Sequence, residues 1–253
     1  MAPEKSKRSE DHSAPLTRRA PLLDLFPPTT PYSSGFLAVD DTHNLYWEQS
    51  GNPDGKPIVL FHGGPGAGAT PVHRRFFDPD FFRIIIFDQR GAGRSRPLGE
   101  LKNNSTQHLL ADMEMIRDQL GVEKWLLFGG SWGATLALLY AQAYPERSLG
   151  LIIRGTFLAR QADADWFLKD GANRLYPEAW ARFIATLPQQ QRTDLVAAYH
   201  QRLCSPDGFV RQQAGREWDM WGGAVVLGED FNADALAGDV PESAIAQARI
   251  ETH

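Results

Sequence analysis

Ser131 sits in Gly129-Gly130-Ser131-Trp132-Gly133, between an apolar run, Trp125 to Phe128, and a small-residue segment of good helix formers that begins at Ala134. A serine between a strand and a helix, flanked by glycines, is pushed out of a sharp, strained turn with its hydroxyl accessible. Glycine is required on both sides because the strained backbone and the close strand–helix approach leave no space for a Cβ. The helix beginning at Trp132 aims its free N–H groups at the serine, where negative charge would develop in acyl transfer. A bare G-x-S-x-G occurs by chance in ordinary tight turns, but here the flanking pattern also fits a nucleophile. A second glycine-rich turn, His62-Gly63-Gly64-Pro65-Gly66-Ala67-Gly68, follows another buried apolar strand, Pro57 to Phe61. Such a turn presents backbone N–H groups on a concave surface suited to an oxyanion. His62 reads as a hydrogen-bonding support for that loop rather than a base. A third turn, Asp88-Gln89-Arg90-Gly91-Ala92-Gly93-Arg94-Ser95, reads as shaping the site without chemistry of its own. Neither glycine loop has the spacing of a phosphate cradle.

These residues need a scaffold that brings three strand ends together. Phe36 to Val39 and Leu45 to Glu48 form a β-hairpin around a polar turn. Pro57 to Phe61, Phe82 to Phe87, Trp125 to Phe128 and Leu149 to Arg154 are short apolar runs of the buried-strand kind. Ser105 to Leu120 has helical spacing, with Ser105 as N-cap and Gly121 as the stop. Ala134 to Tyr144 forms the helix behind Ser131, ended by Pro145. Alternating strands and helices predict an α/β fold with a parallel sheet and right-handed crossovers. Both glycine loops and Ser131 then lie at carboxyl ends of strands, where open α/β sheets bind ligands. The alternation stops near Thr156. The division expected is a loose tail over residues 1–30, an α/β core over 31–156 and a helical cap over 157–253. In the last region Ala224 to Leu227 is the one rival strand.

The 253 residues carry 26 basic and 31 acidic side chains, a formal net charge of −5 without blocks of like sign. That distribution gives no footprint for nucleic acid or for an anionic membrane. The single cysteine, Cys204, excludes a disulfide framework and a cysteine-based metal site, and is expected to be a small buried apolar residue. No cofactor is implied. No apolar run has transmembrane length and the N-terminus lacks an apolar signal core, so a cytoplasmic protein is expected.

With these motifs in order, the chain resembles the prolyl aminopeptidase (proline iminopeptidase) family of α/β-hydrolases, from about Leu25 to the last residue. The resemblance rests on Leu45-Tyr46-Trp47-Glu48-Gln49-Ser50-Gly51-Asn52-Pro53, the His62 and Asp88 loops, the Ser131 turn and Ala248-Arg249-Ile250-Glu251. It implies a serine peptidase that releases N-terminal proline from small peptides. Ser131 would be the nucleophile, the N–H groups of Trp132 and Gly64 the oxyanion hole, and Glu251 a contact for the substrate ammonium; surface charge is the bland reading of Glu251. Aspartate-nucleophile branches of the fold are disfavoured by Ser131 itself.

Two departures from the family pattern stand out. A cap Trp-Glu pair whose glutamate also binds the substrate amine reads here Trp221-Gly222. Glu217 and Asp219 lie nearby, but both are expected to point away from position 222. The sheet is also expected to be incomplete on its C-terminal side, because the chain reaches His253 before the strands that carry the family's triad Asp and His. The competing expectations are therefore a catalytically impaired protein that at most binds peptides or amines, and an esterase or amidase of the same fold.

Overall fold

The computed structural model describes residues 24–233 and 238–253. Six strands form one mixed sheet: β1 (Ser33–Ala38), β2 (Asn44–Gly51), β3 (Lys56–Phe61), β4 (Phe82–Phe87), β5 (Trp125–Gly130) and β6 (Ser148–Arg154). The order across the sheet is β1-β2-β4-β3-β5-β6. The hairpin β1–β2 is antiparallel and β2 joins β4 antiparallel, while β4, β3, β5 and β6 run parallel. The apolar runs Ile58–Phe61 and Ile84–Phe87 lie at the centre because both sheet faces there are covered, which alternating sequences do not tolerate. The expected parallel sheet is thus present, preceded by the expected hairpin.

The pleat sends alternate residues to opposite faces. Val59, Phe61, Ile85, Phe87, Trp125 and Leu127 pack on one face against Met113 and Ile116 of α1 (Thr106–Gln119) and Leu136, Ala137 and Tyr140 of α2 (Trp132–Ala143). Ile58, Leu60, Ile84 and Ile86 gather on the other face with Phe77. Full burial of side chains this size contributes about 1.5–3 kcal/mol each. Ser105 is the N-cap of α1, in a reciprocal box with His108, and Tyr144 closes α2 before Pro145.

Beyond β6 come only helices among the described residues: α3 (Gln161–Leu168), α4 (Ala172–Leu175), α5 (Pro177–Ala185), α6 (Leu195–Leu203), α7 (Gly208–Leu227) and α8 (Glu242–Glu251), with short 3-10 turns. They share a separate aromatic core. Phe183 stacks on Tyr199 with centroids 4.5 Å apart and on Trp221 at 5.5 Å. Ala224 to Leu227, the rival strand, is the last turn of α7. Cys204 is exposed, against the expectation of burial. It is the C-cap residue of α6, where the chain turns out of the helix, and its Sγ lies 3.6 Å from His200 Nε2. No helix among the described residues is long and apolar enough to cross a membrane. The segment before β1 is fixed from Phe26, whose N–H donates to Arg75 O at 2.9 Å. The expected tail otherwise falls mainly on residues 1–23, outside the described residues.

β6 is the edge strand on the side away from the hairpin, and it carries apolar side chains into solvent: Leu149 is 42%, Leu151 40% and Ile152 46% exposed. An unpaired apolar edge templates association with other chains. These 253 residues alone are therefore expected to bind an environment-sensitive hydrophobic dye and to self-associate. Leu151→Lys should lower both signals without changing the far-ultraviolet spectrum; unchanged dye binding and a monomeric native chain would count against this account of the edge. A second expectation concerns α2, which presses so close to β3 that a Cβ at Gly133 would lie 2.1 Å from Phe61 O. Gly133→Ala should lower unfolding free energy by at least about 2 kcal/mol in urea titration, as backbone overlaps of this kind have no flexible side chain to yield.

Candidate active site

Ser131 links β5 to α2 with φ 55° and ψ −123°, a left-handed backbone that a residue with a Cβ adopts only under strain. Its N–H donates to Arg154 O at 3.1 Å, which pins the turn to the end of β6. On the other side of the turn, a Cβ at Gly129 would lie 2.1 Å from Gly133 O. Glycine at 129 and 133 lets strand and helix meet this closely, and the meeting leaves Ser131 exposed at the carboxyl edge of the sheet. Trp132 is the first residue of α2, so its N–H has no acceptor within the helix and faces outward beside the serine.

The His62–Gly68 loop leaves β3 next to this turn. A Cβ at Gly63 would stand 3.3 Å from Gly130 O and 3.6 Å from Ser131 Cβ. Gly64 has φ +116°, and a Cβ there would meet Gly66 N at 2.6 Å and Ala67 N at 2.7 Å, so only glycine forms this bend. The structure thus brings Ser131, Trp132 and the Gly63-Gly64 turn together.

His62 is buried beneath the loop. Its Nε2 accepts from Gln89 N–H at 2.9 Å, while its Nδ1 lies 2.9 Å from Gly63 O and 3.2 Å from Gly68 N. Burial disfavours the charged ring and lowers its pKa. Both nitrogens are thus committed to the scaffold, and His62 supports the loop. Asp88, fully buried, accepts from Ala69 N–H at 2.8 Å and from Arg94 N–H at 2.8 Å and Nε at 2.7 Å. It ties the far end of the first loop to the second. Arg94 also reaches Glu48, which Arg74 holds through two bonds of 2.7 and 2.9 Å. The Asp88–Ser95 turn shapes the site through this buried network.

α8 lies across both loops. A Cβ at Gly66 would stand 3.1 Å from Gln247 Cα, and one at Gly91 would stand 2.9 Å from Ile250 Cδ1. Gln247 and Ile250 thus hold α8 against these loops, and the last residue of α8 is Glu251. Its carboxylate accepts from Trp218 Nε1 at 2.6 Å and Gln247 Nε2 at 2.8 Å. Burial raises its pKa, those two bonds partly oppose the rise, and the charge of Asp219 adds to it. Asp219 is half-buried, its pKa also raised by burial, and among the described residues it has no hydrogen bond or ion pair.

The expectation that Asp219 points away from position 222 is corrected. The two are three residues apart on the continuous helix α7, which places them on neighbouring points of one face. At Gly222 itself a Cβ would meet nothing within 4 Å. Glu217 does point elsewhere, and is paired with Arg182 at 2.9 Å. Counting helical offsets from position 222 is enough to put Asp219 on that face.

Among the described residues, no histidine is bonded to Ser131. His200 Nδ1 lies 3.0 Å from Thr252 Oγ1, and its ring stacks on that of His253 at 6.1 Å. His43 is paired with Asp40, while His73 and His108 each close a capping box at the head of a helical turn.

Residues 56–230 match the family described as alpha/beta hydrolase fold. The chain is 50% identical over 235 residues to a proline iminopeptidase from Xylella fastidiosa, covering 92% of this chain and 74% of that one. It is 47% identical over 230 residues to a proline iminopeptidase from Arabidopsis thaliana, covering 90% of this chain and 60% of that one. A solved structure, a candidate epoxide hydrolase from Pseudomonas aeruginosa, superposes with a TM-score of 0.52 at 18% identity, covering 90% of this chain and 70% of that one, a likeness of fold. Sequence and fold agree: the chain belongs to the proline iminopeptidase family of α/β-hydrolases.

Proposed function

We propose that this protein is a serine hydrolase of the prolyl aminopeptidase type, acting on small peptides with an N-terminal proline. A hydrolase core over residues 31–156 supplies the reacting groups and a helical cap over 157–253 supplies the amine pocket. The observation that carries the reading is the Ser131 turn, strained, exposed and backed by the Gly63-Gly64 loop on one side and the N-terminus of α2 on the other. In this reading the scissile carbonyl oxygen lies between the N–H groups of Trp132 and Gly64, and Ser131 Oγ attacks its carbon, giving up its proton to solvent water. The negative charge then forms where donors already stand, so little reorganisation is needed.

Glu251 and Asp219 hold the secondary ammonium of the proline. Both carboxyl groups are raised by burial and the charge of Asp219 raises Glu251 further, and the substrate's ammonium supplies a counter-charge. An organic base nitrogen for the Ser131 proton is not bonded to the hydroxyl among the described residues. The rate expected from these 253 residues is thus the residual one that oxyanion donors and binding provide, on the order of 10³–10⁴ over water.

The test is covalent labelling by a fluorophosphonate together with slow turnover of a prolyl anilide. Labelling should be lost in Ser131→Ala, and the prolyl anilide should be preferred to simple acetyl esters. Ester preference would replace the peptidase reading with an esterase, and prolyl-peptide binding without any Ser131 labelling would leave a binding protein. The amine clamp is tested separately. Glu251→Gln should weaken prolyl-amide binding by on the order of 30-fold or more, the usual consequence of losing one member of a desolvated charge pair.

The same substitution should raise the melting temperature at neutral pH by about 2–4 °C for each kcal/mol of relieved charge burial. Because the folded pKa of Glu251 is raised, the cost of its charge builds up as pH rises from the unfolded pKa to the folded one and is complete above the folded one. The gain should therefore be full above the folded pKa and fade as pH falls from there to the ordinary carboxylate range, and a gain independent of pH would contradict the assignment.

A further inference from the structure

The two donors of the oxyanion hole come from different parts of the sheet: Gly64 from the loop after β3, Trp132 from the start of the helix after β5. Their separation must be fixed to within about 0.5 Å for both to meet one oxygen. One buried side chain spans the gap. Gln89 Nε2 donates to His62 O at 2.9 Å, and Gln89 Oε1 accepts from Trp132 Nε1 at 3.0 Å. Its own N–H holds the His62 ring at 2.9 Å. The orientation of the amide follows from its partners, since a carbonyl needs the NH₂ end and an indole N–H needs the oxygen.

We propose that Gln89 is a positioning residue for the oxyanion hole, clamping the Gly63-Gly64 loop to the first residue of α2. The proposal rests on the hydrolase reading of Ser131. Among the described residues no other hydrogen bond ties the near end of that loop to Trp132; Asp88 holds the far end, at Ala69. The chemistry of the side chain is specific. Glutamate would present lone pairs to His62 O, asparagine is one methylene short, and an apolar residue would leave the carbonyl and the indole N–H unpaired in a buried place. Because Trp132 bonds Gln89 through its indole, the clamp can be released from either side while the backbone donor of residue 132 remains.

The experiment compares the native chain with Gln89→Met, Trp132→Phe and the double variant, following saturation kinetics of fluorophosphonate labelling at Ser131. Each single variant should lower the maximal labelling rate by on the order of 10- to 100-fold, the scale of a displaced catalytic group. The half-saturating probe concentration should stay unchanged. The double variant should be no slower than the slower single, because both remove one shared link. A residue that merely stabilises the fold would shift the melting temperature and leave the labelling rate intact.

Single variants within about twofold of the native rate, or losses that multiply in the double variant, would overturn the clamp. If Gln89→Met does not fold, Trp132→Phe at a partly exposed position carries the same comparison. If the native chain is not labelled at all, the hydrolase reading of Ser131 fails. The clamp is then judged by hydrogen exchange at the Trp132 indole N–H, which should quicken at least about tenfold in Gln89→Met when its acceptor is removed. Unchanged exchange overturns it.

Discussion

The contact between Gly133 and the carbonyl of Phe61 is the constraint on which the site depends. It lets α2 lie directly on β3, and a helix that close to the sheet forces the residue before it into a left-handed turn. Ser131 carries that strain, which costs of order 1–3 kcal/mol in residues of this kind. The cost is met by what the close approach allows. Leu136, Ala137 and Tyr140 of α2 are buried against the sheet with Phe61 and Trp125. Strain at the serine and burial behind it are two results of one geometry. A looser helix would relax the turn and also withdraw the N–H of Trp132 from the loop after β3.

Around that contact the polar groups are arranged so that few can move independently. Glu48 joins Arg74 and Arg94, Arg94 joins Asp88, and Asp88 holds the backbone of both glycine loops. Arg90 binds Asp112 through two bonds of 2.6 Å and also reaches Asp40. Buried ion pairs are poor sources of net stability, because desolvation consumes most of their attraction. Breaking one is nevertheless expensive, since the remaining charge is left unpaired. Their effect here is to penalise any alternative path of the loops after β3 and β4, so the loops keep one shape although they contain seven glycines between positions 63 and 99.

Features that depend on local pattern were readable in the sequence. The apolar runs at Pro57 to Phe61 and Phe82 to Phe87, the hairpin and the capped helix α1 all follow from propensity and period. The glycines about Ser131 follow from the space that a Cβ would need. Features that depend on which partner stands opposite were less so. Gln89 looks like any polar turn residue until His62 O and Trp132 Nε1 are seen at its two ends. Cys204 belongs to a type usually buried, yet its place at the end of α6 turns it to solvent. Asp219 was legible in principle, because helix geometry places it beside position 222. Its proximity to Glu251 was not, because that depends on how α8 crosses α7.

The crossing of α8 connects the helical region to the chemistry of the strand ends. Gln247 and Ile250 rest on the glycine loops, and Glu251 on the same helix meets the side chain of Trp218 from α7. The placement of α8, which carries Glu251, is therefore tied to the two glycine loops. Glu251 and Asp219 are each disfavoured as anions by burial, and the charge of Asp219 adds to the penalty at Glu251. In the proposed reading an ammonium bound beside these carboxylates relieves part of that penalty, so the gain exceeds that of a solvent-exposed pair. The substrate's amino end is then held by the helix that rests on Gly66 and Gly91, so in this reading recognition of the amine and alignment of the carbonyl at the Gly64 loop are mechanically coupled through that contact.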